Sequence, residues 1–169
     1  MEAATTLFYN QGYMRTEISH VLKEARVART TFYEHFHSKD ELFVEYLTNK
    51  SNQIDRLLKA EVEMYETPRE KVLGLFDFLT KLFAQPSYSG CSFLNVISDL
   101  PADSRKVKPI IKQQKDNVRN LFAEILQPVK KDNLADELYM LFDGALITNK
   151  IHDNPLTAIS ARNIAEKIL

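Results

Sequence analysis

The stretch Thr31-Phe32-Tyr33-Glu34-His35-Phe36-His37-Ser38-Lys39-Asp40-Glu41-Leu42 decides how this chain is read. In its second half, Ser38 puts a side-chain oxygen at a helix start, and Glu41 stands three residues later where it can reach back, which is the pattern of a capping box. The apolar positions that follow, Leu42, Phe43, Tyr46, Leu47, Ile54, Leu57, Leu58, Val62 and Tyr65, recur at three- and four-residue steps and predict one long amphipathic helix. Phe32, Tyr33 and Phe36 belong to a short segment ahead of it. Further upstream, Ile18, Val21, Leu22 and Ala25 make a second short face, opened by Thr16 as cap with Glu17 near the positive helix end. Arg26-Val27-Ala28 interrupts between the two. Ala3, Ala4, Leu7 and Phe8 form a first face that ends at Asn10-Gln11-Gly12, where Gly12 suits a helix C-cap. Two short helices joined by a tight turn and laid on a preceding helix are the helix-turn-helix layout.

The rest of the chain is helical by the same signs. Only 4 Gly and 6 Pro occur in 169 residues, too few to punctuate the turns of a sandwich or barrel. All six prolines (68, 86, 101, 109, 128, 155) lie beyond residue 67, near places where the apolar periodicity restarts. Thr67-Pro68-Arg69-Glu70 is a second capping box with Pro at the first helical position, and Asp153-Asn154-Pro155 offers another cap. Apolar faces run through Val72, Leu75, Phe76, Leu79, Leu82 and Phe83, then Ile110 to Leu126, Leu134 to Leu146, and Leu156 to Ile168. The expected fold is all-α with about nine helices. Residues 1–45 would form a three-helix reading domain and 46–169 a helical bundle.

Composition excludes several classes. The 22 Lys+Arg balance 23 Asp+Glu, so the chain is no general basic binder of nucleic acid, and a DNA contact has to be local. A single Cys91 cannot close an intrachain disulfide. Apolar runs are no more than a handful of residues long, against the roughly 18 of a spanning helix, and a cytoplasmic location is expected.

The run from Gly12 to Leu42 resembles the DNA-binding domain of the TetR/AcrR family of tetracycline-repressor-like regulators. Gly12-Tyr13, Thr16, Ile18, Val21, Ala25, Val27, Thr31-Phe32-Tyr33-Glu34-His35-Phe36 and Ser38-Lys39-Asp40-Glu41-Leu42 carry it without a gap. Gly90-Cys91-Ser92-Phe93-Leu94-Asn95 and Leu141-Phe142-Asp143-Gly144-Ala145 are similar to segments of that family's regulatory domains. Two positions depart from it. Arg26 stands where the family usually has Gly, and Ala28 replaces the usual Ser cap. The family also carries residues ahead of the position of Met1, so part of the DNA contact is expected to lie outside this sequence.

The resemblance implies a homodimer that binds a near-palindromic operator in double-stranded DNA and is released by a small-molecule inducer, most simply as a repressor. A recognition helix beginning near Ala28 would offer Ala28, Arg29, Thr30 and Thr31 to the DNA, Arg29 reading guanine directly in the major groove. Thr31, Tyr33 and His35 would hold phosphates, with Lys39 at the next helix start and Thr16 and Ser19 on the other side. Tyr65, Phe76, Phe83, Cys91, Phe93 and Phe122 are candidates for lining an inducer pocket. Leu138, Phe142, Ala145, Leu146, Ile159 and Ile164 on the last two helices are candidates for the dimer interface, with Gly144 and Ala145 permitting close approach.

Simpler readings stand beside these. Residues 1–50 hold 6 Lys+Arg against 7 Asp+Glu, so charge by itself does not single them out. His20, His35 and His37 do not converge as metal ligands, and no metal or cofactor is expected. Cys91 has no adjacent cation in sequence and reads as a small buried hydrophobe. No nucleophile and base pair or nucleotide loop suggests an enzyme. The alternatives are an all-helical small-molecule-binding protein or enzyme, and a regulator that works mainly through a protein partner.

Overall fold

The computed structural model describes residues 1–97, 100 and 104–169, which leaves Pro101 outside the described residues. Among them are nine α-helices and no strand: α1 (Glu2–Arg15), α2 (Ile18–Ala25), α3 (Arg29–His35), α4 (Lys39–Val62), α5 (Pro68–Phe83), α6 (Ser92–Ile97), α7 (Lys108–Leu126), α8 (Ala135–His152) and α9 (Leu156–Ile168). The all-α expectation and the helix count hold. α6 carries no sequence expectation of its own, because six residues are too few for apolar periodicity to show.

By compactness the chain forms two units, one of residues 1–52 with 92–113 and the other of 53–91 with 114–169. This division differs from a motif cut at residue 45. It falls inside α4 and α7, and it groups α6 with the reading domain.

In the first unit, α1 packs on α2 and α6. Phe8, Phe43 and Tyr46 meet with ring centroids 4.8 to 5.6 Å apart, all three almost wholly buried. The Tyr46 hydroxyl donates to Ser92 Oγ at 3.0 Å, which satisfies a buried polar group. α4 starts as the capping pattern requires, with Glu41 N–H donating to Ser38 Oγ. The Glu41 carboxylate, however, reaches one residue further back, to His37 N–H at 2.9 Å. Its other oxygen pairs with Lys106 at 3.3 Å. α4 ends at Val62, three residues before the last apolar position assigned to it, and Tyr65 lies in the turn that leads to Thr67.

In the second unit, α9 packs on α5 and α8. Ala158, Ala161 and Ala165 are its buried residues, and their small size lets the helix axes approach. Arg162 pairs with Asp77 at 2.8 Å and Arg69 with Glu166 at 2.8 Å, tying α9 to α5. Phe76, Phe122 and Phe142 form a triangle with centroids 5.9 to 6.0 Å apart. α5 begins with both halves of the Thr67–Glu70 capping box in place.

Candidate nucleic-acid interface

α2 and α3 are joined by a turn that the sequence makes difficult. Arg26 adopts the left-handed conformation, φ 54° and ψ 41°, where a side chain costs on the order of 1 kcal/mol. The turn is closed by Arg26 N–H to the Lys23 carbonyl and Val27 N–H to the Leu22 carbonyl, the paired bonds of a Schellman motif. The geometry that Gly usually supplies is therefore kept by Arg26 under strain. Ala28 is the N-cap of α3, and its side chain makes no cap hydrogen bond.

α3 has one buried side chain, Phe32, packed edge-on to Tyr33 at 5.2 Å and near Phe36 at 5.7 Å. Because a single ring anchors it, Ala28, Arg29, Thr30, Thr31, Tyr33 and His35 are all exposed. The Arg29 guanidinium lies 5.7 Å from the Tyr33 ring centroid. Glu34 is also exposed and adds an anion to the same short helix.

Lys39 opens α4 with its ammonium 4.2 Å from the centroid of the Tyr13 ring. Burial lowers its pKa, against the opposing pull of Asp40 and Glu17. Ser19 is exposed and donates to Glu17 Oε2 at 3.0 Å. Thr16 is a correction. It is wholly buried, it is not the cap of α2, a position that Glu17 holds, and its hydroxyl donates to the Gly12 carbonyl at 2.8 Å. With no exposed surface, Thr16 cannot clamp a phosphate. Gly12 is corrected too, since it breaks α1 at φ 79° and ψ 175° rather than ending it.

The residues assigned to an inducer pocket are dispersed. Phe76 and Phe122 are closed inside the aromatic triangle with Phe142, and Phe93 is also fully buried, which leaves no ring face open to a ligand. Phe83 stacks on Tyr88 at 5.5 Å, and Tyr65 lies over Gly74. Cys91 is half-buried with the Lys115 ammonium 3.8 Å from its sulfur, so the fold provides a cation that sequence proximity did not. Lys115 is itself held by Asp143 at 2.8 Å, and Tyr139, buried against Asp143, has its pKa raised. A half-open recess of about 200 Å³, bordered by Asp55, Lys59, Asn117 and Glu124 among others, contains none of the six assigned residues.

The candidate dimer residues divide. Leu138, Phe142, Ala145 and Leu146 are buried within the single chain, because they form the face of α8 that packs inward. Ile159 and Ile164 are exposed, and so are Met140, Ile147, Ile151 and Leu156, which were not among the residues assigned to the interface. Met140, Gly144, Ile147 and Ile151 fall on the side of α8 opposite its buried face. A Cβ added at Gly144 would meet nothing within 4 Å.

Among the described residues no helix is long and apolar enough to cross a membrane, and no three His, Cys, Asp or Glu gather as metal ligands.

Residues 1–46 match the family described as bacterial regulatory proteins, tetR family. The whole chain superposes on a TetR-family transcriptional regulator from Streptomyces coelicolor with a TM-score of 0.91 at 25% identity, covering 99% of this chain and 84% of that one. Residues 1–46 thus carry the domain of that family, and the chain as a whole is similar in fold to TetR-family regulators. It also resembles curated proteins. It is 31% identical over 72 residues to the HTH-type transcriptional regulator HbdR of Aromatoleum sp. (strain CIB), a match that covers 43% of this chain and 31% of HbdR. It is 22% identical to the HTH-type transcriptional repressor DhaR of Mycobacterium sp. (strain GP1), over 91% of this chain and 82% of DhaR. The TetR-family fold is shared with CifR, solved with a 26 bp double-strand operator DNA, at TM-score 0.85 and 18% identity over 98% of this chain and 93% of that one.

Proposed function

We propose that this TetR-family chain acts as a dimeric repressor that holds a near-palindromic operator and lets go when a small molecule binds its C-terminal helices. The observation that carries the reading is the exposure of Arg29, Thr30, Thr31, Tyr33 and His35 on a helix anchored by Phe32 alone, which makes α3 slim enough for a major groove. Arg29 is the direct reader. Thr31, Tyr33, His35, Ser19 and Lys39 contact phosphates, which position the helix without reading sequence.

The exposed apolar faces of α8 and α9 bind the same faces of a second copy. Met140, Ile147 and Ile151 with Leu156, Ile159 and Ile164 supply the apolar area, and Gly144 admits the partner closely. Such a pair sets two α3 helices about 34–36 Å apart, one turn of B-DNA. Release is a population shift: a ligand that fits the dimer with its reading heads apart removes it from DNA by its difference in affinity for the two forms. α4 transmits the shift, because one unbroken helix supplies residues to both units.

A regulator acting mainly through a protein partner would have little use for a strained turn, yet Arg26 keeps that turn closed, which favours the DNA reader. The test is a mobility shift on duplexes selected by the protein from a random pool. Arg29→Ala is expected to weaken binding by about 1–3 kcal/mol and to relax preference at one base pair. Wild-type binding to Arg29→Ala and Tyr33→Phe alike would remove α3 as the reading helix.

A further inference from the structure

Tyr13 follows directly on the break in α1. Gly12 turns the backbone with its positive φ, and the buried Thr16 hydroxyl locks that turn by bonding the Gly12 carbonyl at 2.8 Å. The Tyr13 ring is thereby set against Phe43 of α4, centroids 4.8 Å apart. Its hydroxyl donates to Asp40 Oδ1, and its face lies 4.2 Å under the Lys39 ammonium.

We propose that Tyr13 is a positioning residue for DNA binding, its ring face holding the Lys39 ammonium toward the phosphate backbone. This rests on the DNA-binding reading above. Lys39 stands among anions, since Asp40 adjoins it and Glu17 is close enough to influence its charge. A long flexible ammonium there would otherwise be free to fold onto a carboxylate rather than wait for a phosphate. An aromatic face attracts the cation without neutralising it, so the full charge stays available to DNA. Burial and the bond to Asp40 push the Tyr13 hydroxyl up to about 12, so it remains a donor at physiological pH. The buried Thr16 gains a purpose by the same argument, as the brace that fixes the Gly12 turn.

The experiment measures operator Kd against salt from about 50 to 200 mM on a labelled duplex selected from a random pool. Lys39→Ala should lower the slope of log K against log salt by about 0.9, the loss of one phosphate contact. Tyr13→Leu should lower it equally, and the double variant should go no lower than either one. Tyr13→Phe should retain the slope, while a ring-fluorinated phenylalanine at the same position, alike in shape but with the ring charge reversed, should lose roughly two- to five-fold in affinity. Should Tyr13→Leu fail to fold, the fluorinated ring decides. If Lys39→Ala lowers the slope but the fluorinated ring binds like Tyr13→Phe, or if the Lys39 and Tyr13 effects add, Tyr13 does not position Lys39. If neither Arg29→Ala nor Lys39→Ala changes binding, the DNA-binding reading falls and this role falls with it.

Discussion

The ring of Tyr65 lies across the backbone of Gly74 in α5, so close that a Cβ there would overlap it. Tyr65 stands in the turn after α4, and its hydroxyl also reaches Glu61 at 3.4 Å. Gly74 is thus kept in a helix interior, where Gly costs about 1 kcal/mol relative to Ala, because the aromatic ring occupies the space.

Gly74→Ala is expected to destabilise the protein by about 1 kcal/mol, as overpacking outweighs the gain in helix propensity. In a Tyr65→Ala background the sign reverses, because the ring is gone and the propensity gain remains. Urea unfolding of the four proteins at one fixed concentration measures the cycle. Additive effects would show that the two residues do not share this space.

The reading module carries two local penalties that substitution can remove. Arg26→Gly relieves the left-handed residue, and Ala28→Ser gives α3 a capping hydroxyl. Each is expected to stabilise by about 0.5–1 kcal/mol, raising Tm by a few degrees in calorimetry. Neither change alters an exposed side chain of α3, so base preference should be unchanged.

The start of α5 links stability to pH. The Glu70 carboxyl is held below its ordinary 4.5, first by the Thr67 hydroxyl and then by the Thr67 N–H. A value depressed in the folded state means that the unfolded chain binds the proton more tightly. The stabilisation is therefore complete above 4.5 and is lost as pH falls through the folded value. Thermal scans of wild type and Glu70→Gln should differ at pH 7 and converge as the pH falls from 4.5 through the depressed folded value. Thr67→Ala should cost about 0.5–2 kcal/mol at neutral pH.

Charge placed on the outer face of α8 tests the proposed pairing. Ile147→Glu and Ile151→Glu alter exposed residues and should leave the fold intact while producing monomers in sedimentation. Operator affinity should fall with them, because two linked reading heads become one. Leu138→Glu should instead unfold the chain, since that side chain is wholly buried within it.

Helices and caps were legible because their causes are local. Thr67 through Glu70 form the capping box that their spacing dictates, and α3 lies where Thr31 through Phe36 place it. Phe32, Tyr33 and Phe36 were legible as the apolar positions of α3, but that Phe32 alone is buried while Tyr33 is left outside was not. Thr16 was misread because a hydroxyl at a helix start looks the same whether it caps that helix or bonds back to the one before. Leu138 was assigned to the dimer face for a related reason: α8 is apolar on opposite sides, and periodicity does not say which side faces its own chain.

The sequence by itself therefore determined most of the helices and their order, since each follows from residues a few positions apart. Only the tertiary structure decided that Tyr13 meets Lys39, that Lys115 stands over Cys91, and which side of α8 is left for a partner. Those relations join residues distant along the chain, and packing of whole helices, which no short stretch encodes, brings them together.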